Sequence, residues 1–214
     1  MKVSEVAQRA GVPLSAVKYY QREGLLPAGA RSAPNQVAYG EEHVRRVRLV
    51  RALLETGGLS VAATKDVIAA LDAEAAPLAR TFQVAQHAMG ARRVQESAPS
   101  GAARARVEAL AAARGWCVTS DNPGFEAAAR ALDGLRSIGF DPPQEYLDAY
   151  AAAAGTAAAA DLQALSGRGE RDAVAELMVV GTVLGDPLFA GLRRLAQQDA
   201  TRDAFPAPAR GGRR

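Results

Sequence analysis

Ser15, Lys18, Tyr19 and Arg22 stand at i, i+3, i+4 and i+7, the spacing that gathers side chains on one face of an α-helix. Such a stripe suits the major groove of a duplex, where lysine and arginine meet guanine edges or phosphate oxygens and hydroxyls donate to phosphate. Ala16, Val17 and Tyr20 fall toward the opposite side and face a partner helix. Ala7, Gly11 and Val17 have the separations of a helix-turn-helix: a small residue where helices touch, a glycine in the turn and an apolar plug on the second helix. A plain helical hairpin with a solvated polar face fits the same spacing.

The charge distribution leans the same way. Residues 1–72 carry ten basic and seven acidic side chains, hence the whole net charge of +3, while the remaining residues balance at sixteen of each. Within 1–51 the ratio is nine to four, the local excess that a phosphate-facing surface uses. The bland alternative is a solvated helix face, because Glu41 with Arg45 and Glu42 with Arg46 are spaced for i, i+4 pairing.

With 214 residues, 49% hydrophobic and 23% charged, the chain can bury a real core, which excludes wholesale disorder. The first residues carry no apolar leader, and apolar runs such as 177–185 fall short of the ~20 residues a bilayer needs. The expectation is a cytoplasmic protein with no membrane contact. The single cysteine, Cys117, excludes an internal disulfide and an all-cysteine metal cage. It reads as a small buried apolar residue. No metal site and no cofactor are expected, since His43 belongs to the first third and His87 lies thirty positions before Cys117. An enzyme would have only Cys117 with His87 as a nucleophile and histidine base outside that first third, and no motif surrounds either; the expectation is no catalysis.

The elements that must position the stripe follow from punctuation. Val3, Val6, Ala7 and Ala10 mark a short helix stopped by Gly11. Pro13 opens a second helix that runs to about Glu23 and ends at Gly24. Residues 28–39 read as a loop or small hairpin, a wing. A third helix spans Gly40 to Thr56 with Val44, Val47, Val50 and Leu54 inward; after Gly57-Gly58, Ser60 caps a fourth over Val61–Leu71. Beyond Asp72 the chain turns alanine-rich and predicts helices over 74–97, 102–115, 123–138, 142–165, 170–184 and 187–199. Asn122-Pro123, Asp141-Pro142 and Asp186-Pro187 read as helix starts. The fold class is thus all-α with a small wing hairpin. Residues 1–72 form a winged helix-turn-helix domain, 73–100 a linker or dimerisation helix, 101–200 an all-helical effector or regulatory domain, and 201–214 a basic tail.

The stretch VSEVAQRAGVPLSAVKYYQREGLLP, then Tyr39, EEHVRRVRLVRALLETGGLS and AATKDVI, resembles the N-terminal domain of MerR-family transcriptional regulators. The most specific parts are Tyr19-Tyr20 with Glu23-Gly24-Leu25-Leu26-Pro27, and Gly58-Leu59-Ser60 opening a helix. The resemblance implies Lys18 as a recognition-helix contact, Tyr19 on the DNA backbone, Tyr20 in packing, Arg31 on the wing near a phosphate or the minor groove, and Lys65 donating from the fourth helix. For Arg45, Arg46 and Arg48, pairing in solvent and phosphate contact remain alternatives. Two features depart from the family pattern: Pro13 replaces the usual serine or threonine cap, and Asn35-Gln36-Val37 replace a glycine, an aromatic and an arginine in the wing. Asn35 either hydrogen-bonds phosphate or supports the turn.

The family implies a homodimer on a pseudo-palindromic promoter site, with RNA polymerase as a partner through the promoter. Leu78, Phe82, Ala85 and Met89 give a short apolar seam for a dimer helix, which Pro99 cuts off, so dimer contacts elsewhere are also open. A small-molecule effector would use Phe82, Trp116, Phe125, Phe140, Tyr146, Tyr150 and Phe189 if these meet in one pocket; each alone also reads as core. A non-catalytic architectural or recombination-accessory DNA-binding protein is the alternative.

Overall fold

The computed structural model describes residues 1–33, 36–73, 77–90, 98–166 and 170–204. Nine helices and one hairpin stand among them. Helix α1 (Val3–Ala10) buries Val6, Ala7 and Ala10. Gly11 stops it at φ 71°, in the left-handed region where a side chain is strained. Helix α2 (Leu14–Arg22) follows, with Pro13 at the N-cap rather than inside the helix, and buries Val17 and Tyr20. The wing is an antiparallel pair, β1 (Ala30–Ala33) and β2 (Gln36–Ala38), with Ala30 opposite Ala38 and Arg31 opposite Val37. Its base is fastened to the start of the chain, where the Met1 nitrogen donates to the Tyr39 carbonyl at 2.8 Å and the Tyr39 amide donates to the Met1 carbonyl at 3.0 Å.

Helix α3 (Glu41–Arg51) is shorter than the spacing predicts, because its last turn widens into a π-helical segment over Ala52–Thr56. Ser60 caps α4 (Val61–Asp72), its hydroxyl accepting from the Ala63 amide at 3.1 Å. Val6, Val17, Val47, Val50, Leu53 and Val67 are fully buried and make one core. That core is completed from outside the first 72 residues. Ala85 and Ala88 of α5 (Leu78–Gly90) and Val179 and Val183 of α9 (Arg171–Ala204) are sealed in it. A Cβ on Gly57 would stand 2.3 Å from Val183 Cγ1, so the glycine is what lets α9 sit there.

Every regular element described in the second half is a helix. Helices α6 (Gly101–Ala113), α7 (Pro123–Ser137) and α8 (Gln144–Leu165) enclose a much smaller core of Ala103, Ala129, Leu132 and Leu147. Of the three proline starts, Asn122-Pro123 is one: Asn122 caps α7, accepting from the Gly124 amide at 2.8 Å. Asp141-Pro142 is not, since α8 starts at Gln144 with Pro143 at its cap, while Asp141 accepts from Arg106 and Arg136. Nor is Asp186-Pro187, because Pro187 lies inside α9. The proline forfeits one intrahelical bond, and the packing of α9 outweighs that loss. The merged helix is long and apolar enough to cross a membrane, by length and composition, over Arg171–Thr201; its first half nevertheless lies in the core described above.

Candidate nucleic-acid interface

Helix α2 presents two faces. Val17 and Tyr20 point into the core, where burial raises the Tyr20 phenol above its ordinary range. Ser15, Lys18 and Arg22 are exposed, and Lys18 has no ion-pair partner among the described residues. Tyr19 is half-buried, its ring beneath the Arg22 guanidinium, whose carbon lies 5.3 Å from the ring centre. Such stacking limits the swing of Arg22 without consuming its donors. The outward stripe expected from the spacing is therefore present, with Tyr19 at its edge.

Contacts that the spacing does not announce hold this helix in place. Gln21 donates to the Tyr39 hydroxyl at 2.7 Å, linking α2 to the wing. Arg48 donates to the Arg9 carbonyl at 2.6 Å and Arg51 to the Gly11 carbonyl at 3.2 Å. These carbonyls end α1 and have no intrahelical donor, so two guanidiniums of α3 satisfy them and steady the turn before α2. Arginines three apart on α3 are the only sequence signal for this, and they look the same as a solvated stripe. His43 is buried against Tyr39, edge to face at 5.0 Å, and its Nδ1 accepts from the Gly40 amide at 3.0 Å.

The pairing expected within α3 is absent. Glu41 binds Arg9, Arg46 binds Asp72, and Arg45 reaches α9, where both guanidinium contacts go to Glu176, at 2.8 and 3.2 Å. Of the two alternatives for Arg45, the structure without DNA shows a pairing, with its partner on α9 rather than within α3. Lys65 is exposed on α4, with its ammonium 3.1 Å from Glu23 at the end of α2. Arg31 lies on β1, but its side chain is outside the described atoms, and Asn35 lies outside the described residues.

Residues 1–71 match the family of MerR HTH regulatory proteins. The head is a MerR-type helix-turn-helix domain. Over 50 residues the chain is 32% identical to the HTH-type transcriptional regulator ZntR homolog of Haemophilus influenzae, a stretch that is 23% of this chain and 37% of that relative. The chain thus spans well under half the length of this curated relative. Over 97% of its length it is similar to a solved structure, SCO5550 from Streptomyces coelicolor A3(2), a protein assigned as a transcriptional regulator. That likeness has 28% identity, 99% coverage of the other chain and a TM-score of 0.73. It therefore extends past the MerR-type head into the second half.

The aromatic residues of that half do not converge on one pocket. Phe82 is half-buried on α5, and Phe125 is buried under the Arg104 guanidinium. Trp116 is exposed beside Gly155, and Phe189 is exposed on α9. Phe140, Tyr146 and Tyr150 do meet, at 5.8 and 4.7 Å between ring centres, and Arg193 lies over the outer tyrosine ring. The Tyr146 phenol is raised by its hydrogen bond to Tyr150. Two cavities among the described residues involve none of these rings. One, of about 790 Å³, lies between α4 and α5 and is edged by Asp66, Arg80, Gln83 and His87. The other, of about 320 Å³, lies under the wing beside Gln21 and Tyr39. Cys117 is exposed, which corrects its reading as a buried apolar residue; it falls in the loop after α6, away from both cores.

Proposed function

We propose that this chain is a sequence-specific DNA-binding transcriptional regulator of the MerR type that works in the cytoplasm. The observation that carries this reading is Lys18, without an ion-pair partner among the described residues, at the centre of an exposed face on α2 whose buried face fixes its direction. Ser15, Lys18, Tyr19 and Arg22 enter the major groove, Arg31 and Asn35 approach the backbone from the wing, and Lys65 exchanges Glu23 for a phosphate. Arg45, like Lys65, would exchange its carboxylate, Glu176, for a phosphate. Two copies read a pseudo-palindromic promoter site and deform it, and RNA polymerase senses the altered promoter. A small-molecule effector seated at the Phe140, Tyr146 and Tyr150 face would set the state of the head through α9.

Binding to promoter fragments, followed by footprinting across a salt titration, tests the reading. The wild-type chain should protect a defined site with an affinity that falls steeply with salt, and Lys18→Ala should weaken it by about tenfold or more. Unchanged protection in Lys18→Ala, or no salt-sensitive binding to any promoter fragment, overturns it.

A further inference from the structure

The ion pair between α3 and α9 differs from the others on the head. Arg9, Arg46 and Arg51 find their acids inside the head, at Glu41, Asp72 and Glu55, whereas Arg45 reaches Glu176, 131 positions away. Its Nε meets one carboxylate oxygen at 3.2 Å and its Nη2 meets the other at 2.8 Å. Two bonds to two oxygens are also the grip that a guanidinium takes on a phosphate. The Arg45 side chain is 62% exposed and that of Glu176 29%, so the cation lies at the surface while the acid is held from behind.

Glu176 is placed there independently of the pair. Val179 and Val183 stand three and seven positions after it, on the same flank of α9, and both are sealed in the head core. An exposed pair adds little to such a seal. Its larger consequence is for Arg45, a cation that a nucleic-acid backbone must win from an acid of the same chain.

We infer that Glu176 is a built-in competitor for the DNA backbone: it occupies Arg45 in the free protein and yields it to a phosphate when the head binds, which loosens the start of α9 from α3. The inference rests on the DNA-binding reading above and names a regulation of it. One anion replaces another, so the exchange is nearly balanced and the position of α9 tips it. Glu23, the acid at Lys65, belongs to the head itself, so its displacement stays within the head. Glu176 instead stands on the helix that carries Arg193, whose guanidinium lies over the Tyr150 ring of the lobe, about 25 Å further along α9. Coupling of this kind is reciprocal. Whatever draws the start of α9 from α3 frees Arg45 and tightens the head on DNA, and DNA in turn releases the start of α9.

Fluorescence anisotropy with a labelled duplex carrying the footprinted site, read at several salt concentrations, tests this as a double-mutant cycle in the full chain. Glu176→Gln should tighten binding about two- to fivefold, the worth of an exposed pair. Arg45→Ala should weaken binding and make the salt slope shallower by about one. Glu176→Gln added to Arg45→Ala should change nothing, because its target is gone. A tightening that persists in the Arg45→Ala background is a general effect of removing a negative charge and overturns the inference. Wild-type affinity in either single variant also overturns it, and leaves the DNA-binding reading standing where Lys18→Ala still weakens binding. Hydrogen exchange reads the other side of the coupling. Amides of residues 171–178 should exchange about two- to fivefold faster once the duplex saturates the wild type, and equally fast in Glu176→Gln without DNA, while Val179 and Val183 stay protected. Exchange at 171–178 that DNA leaves unchanged overturns the inference.

Discussion

The head and the α6–α8 lobe are both helical, yet they are held together by different physics. The head is sealed by branched aliphatic side chains from five helices, with Val6, Val17, Val47, Val50, Leu53, Val67, Val179 and Val183 all nearly or wholly buried. The lobe buries two alanines and two leucines at its centre. Its helices are fastened at their margins instead. Arg104 pairs with Glu108 and Glu126, Arg106 and Arg136 share Asp141, and Ser100 donates from both its amide and its hydroxyl to Asp133. Apolar burial involves no titratable group and is not screened by salt, whereas ion pairs and carboxylate caps, which the head also carries but depends on less, are weakened by salt and acid. The lesson is that the reading head is the stiff part and the lobe the adjustable one, with α9 belonging to both.

The largest expected effect breaks the stiff side. Leu53→Ala should lower stability by about 2–5 kcal/mol, as for a fully buried leucine whose cavity cannot collapse, and Leu147→Ala in the lobe should fall at or below the low end of that range. Urea melts of the two variants decide the contrast; equal losses would remove it. Next, Gly57→Ala should cost about 1–3 kcal/mol through overpacking, since its Cβ would press on Val183 and also lie 2.7 Å from the Leu53 carbonyl. Val183→Ala in the same chain relieves only the first of these. A Gly57→Ala chain with unchanged melting would detach α9 from the head.

Smaller effects sharpen the lobe. Ser100→Ala should cost about 0.5–2 kcal/mol, because it removes the cap of α6 and one bond to Asp133. Hydrogen exchange should quicken in the first turn of α6 and leave α3 alone. The least effect is acid sensitivity. Arg136 and Arg106 hold the Asp141 carboxyl below the usual range, and the Ser100 amide and hydroxyl do the same for Asp133. Each folded pKa is below its unfolded value of about 3.9, so the contribution is complete above that value and disappears as pH falls through the folded pKa. Melting between pH 5 and 2 should therefore show Asp141→Asn losing less stability on acidification than the wild type. Parallel curves would exclude the carboxylate as a fastening.

Much of the head was legible in the residues because its signals are local. Gly11 forces a left-handed stop, Ser60 satisfies an amide three positions on, and Val44, Val47 and Val50 repeat at helical spacing. The outward set Ser15, Lys18 and Arg22 followed from the same periodicity. Arg45 was not legible, since an i, i+4 acid was offered next to it and the actual partner is 131 positions away. The exposed Cys117 was not legible either, because a lone thiol carries no pattern that reports burial.

The amino-acid order alone determined where α1, α2 and α4 begin and stop and which face of α2 looks outward, for these depend on backbone conformations and capping within a few residues. Only the tertiary structure decided that α9 runs unbroken through Pro187, that its valines complete the head, and that its leucines are left bare. A valine stripe records a wish to be covered without naming the cover, because apolar attraction has no direction. What covers what is settled by the space that the other helices leave.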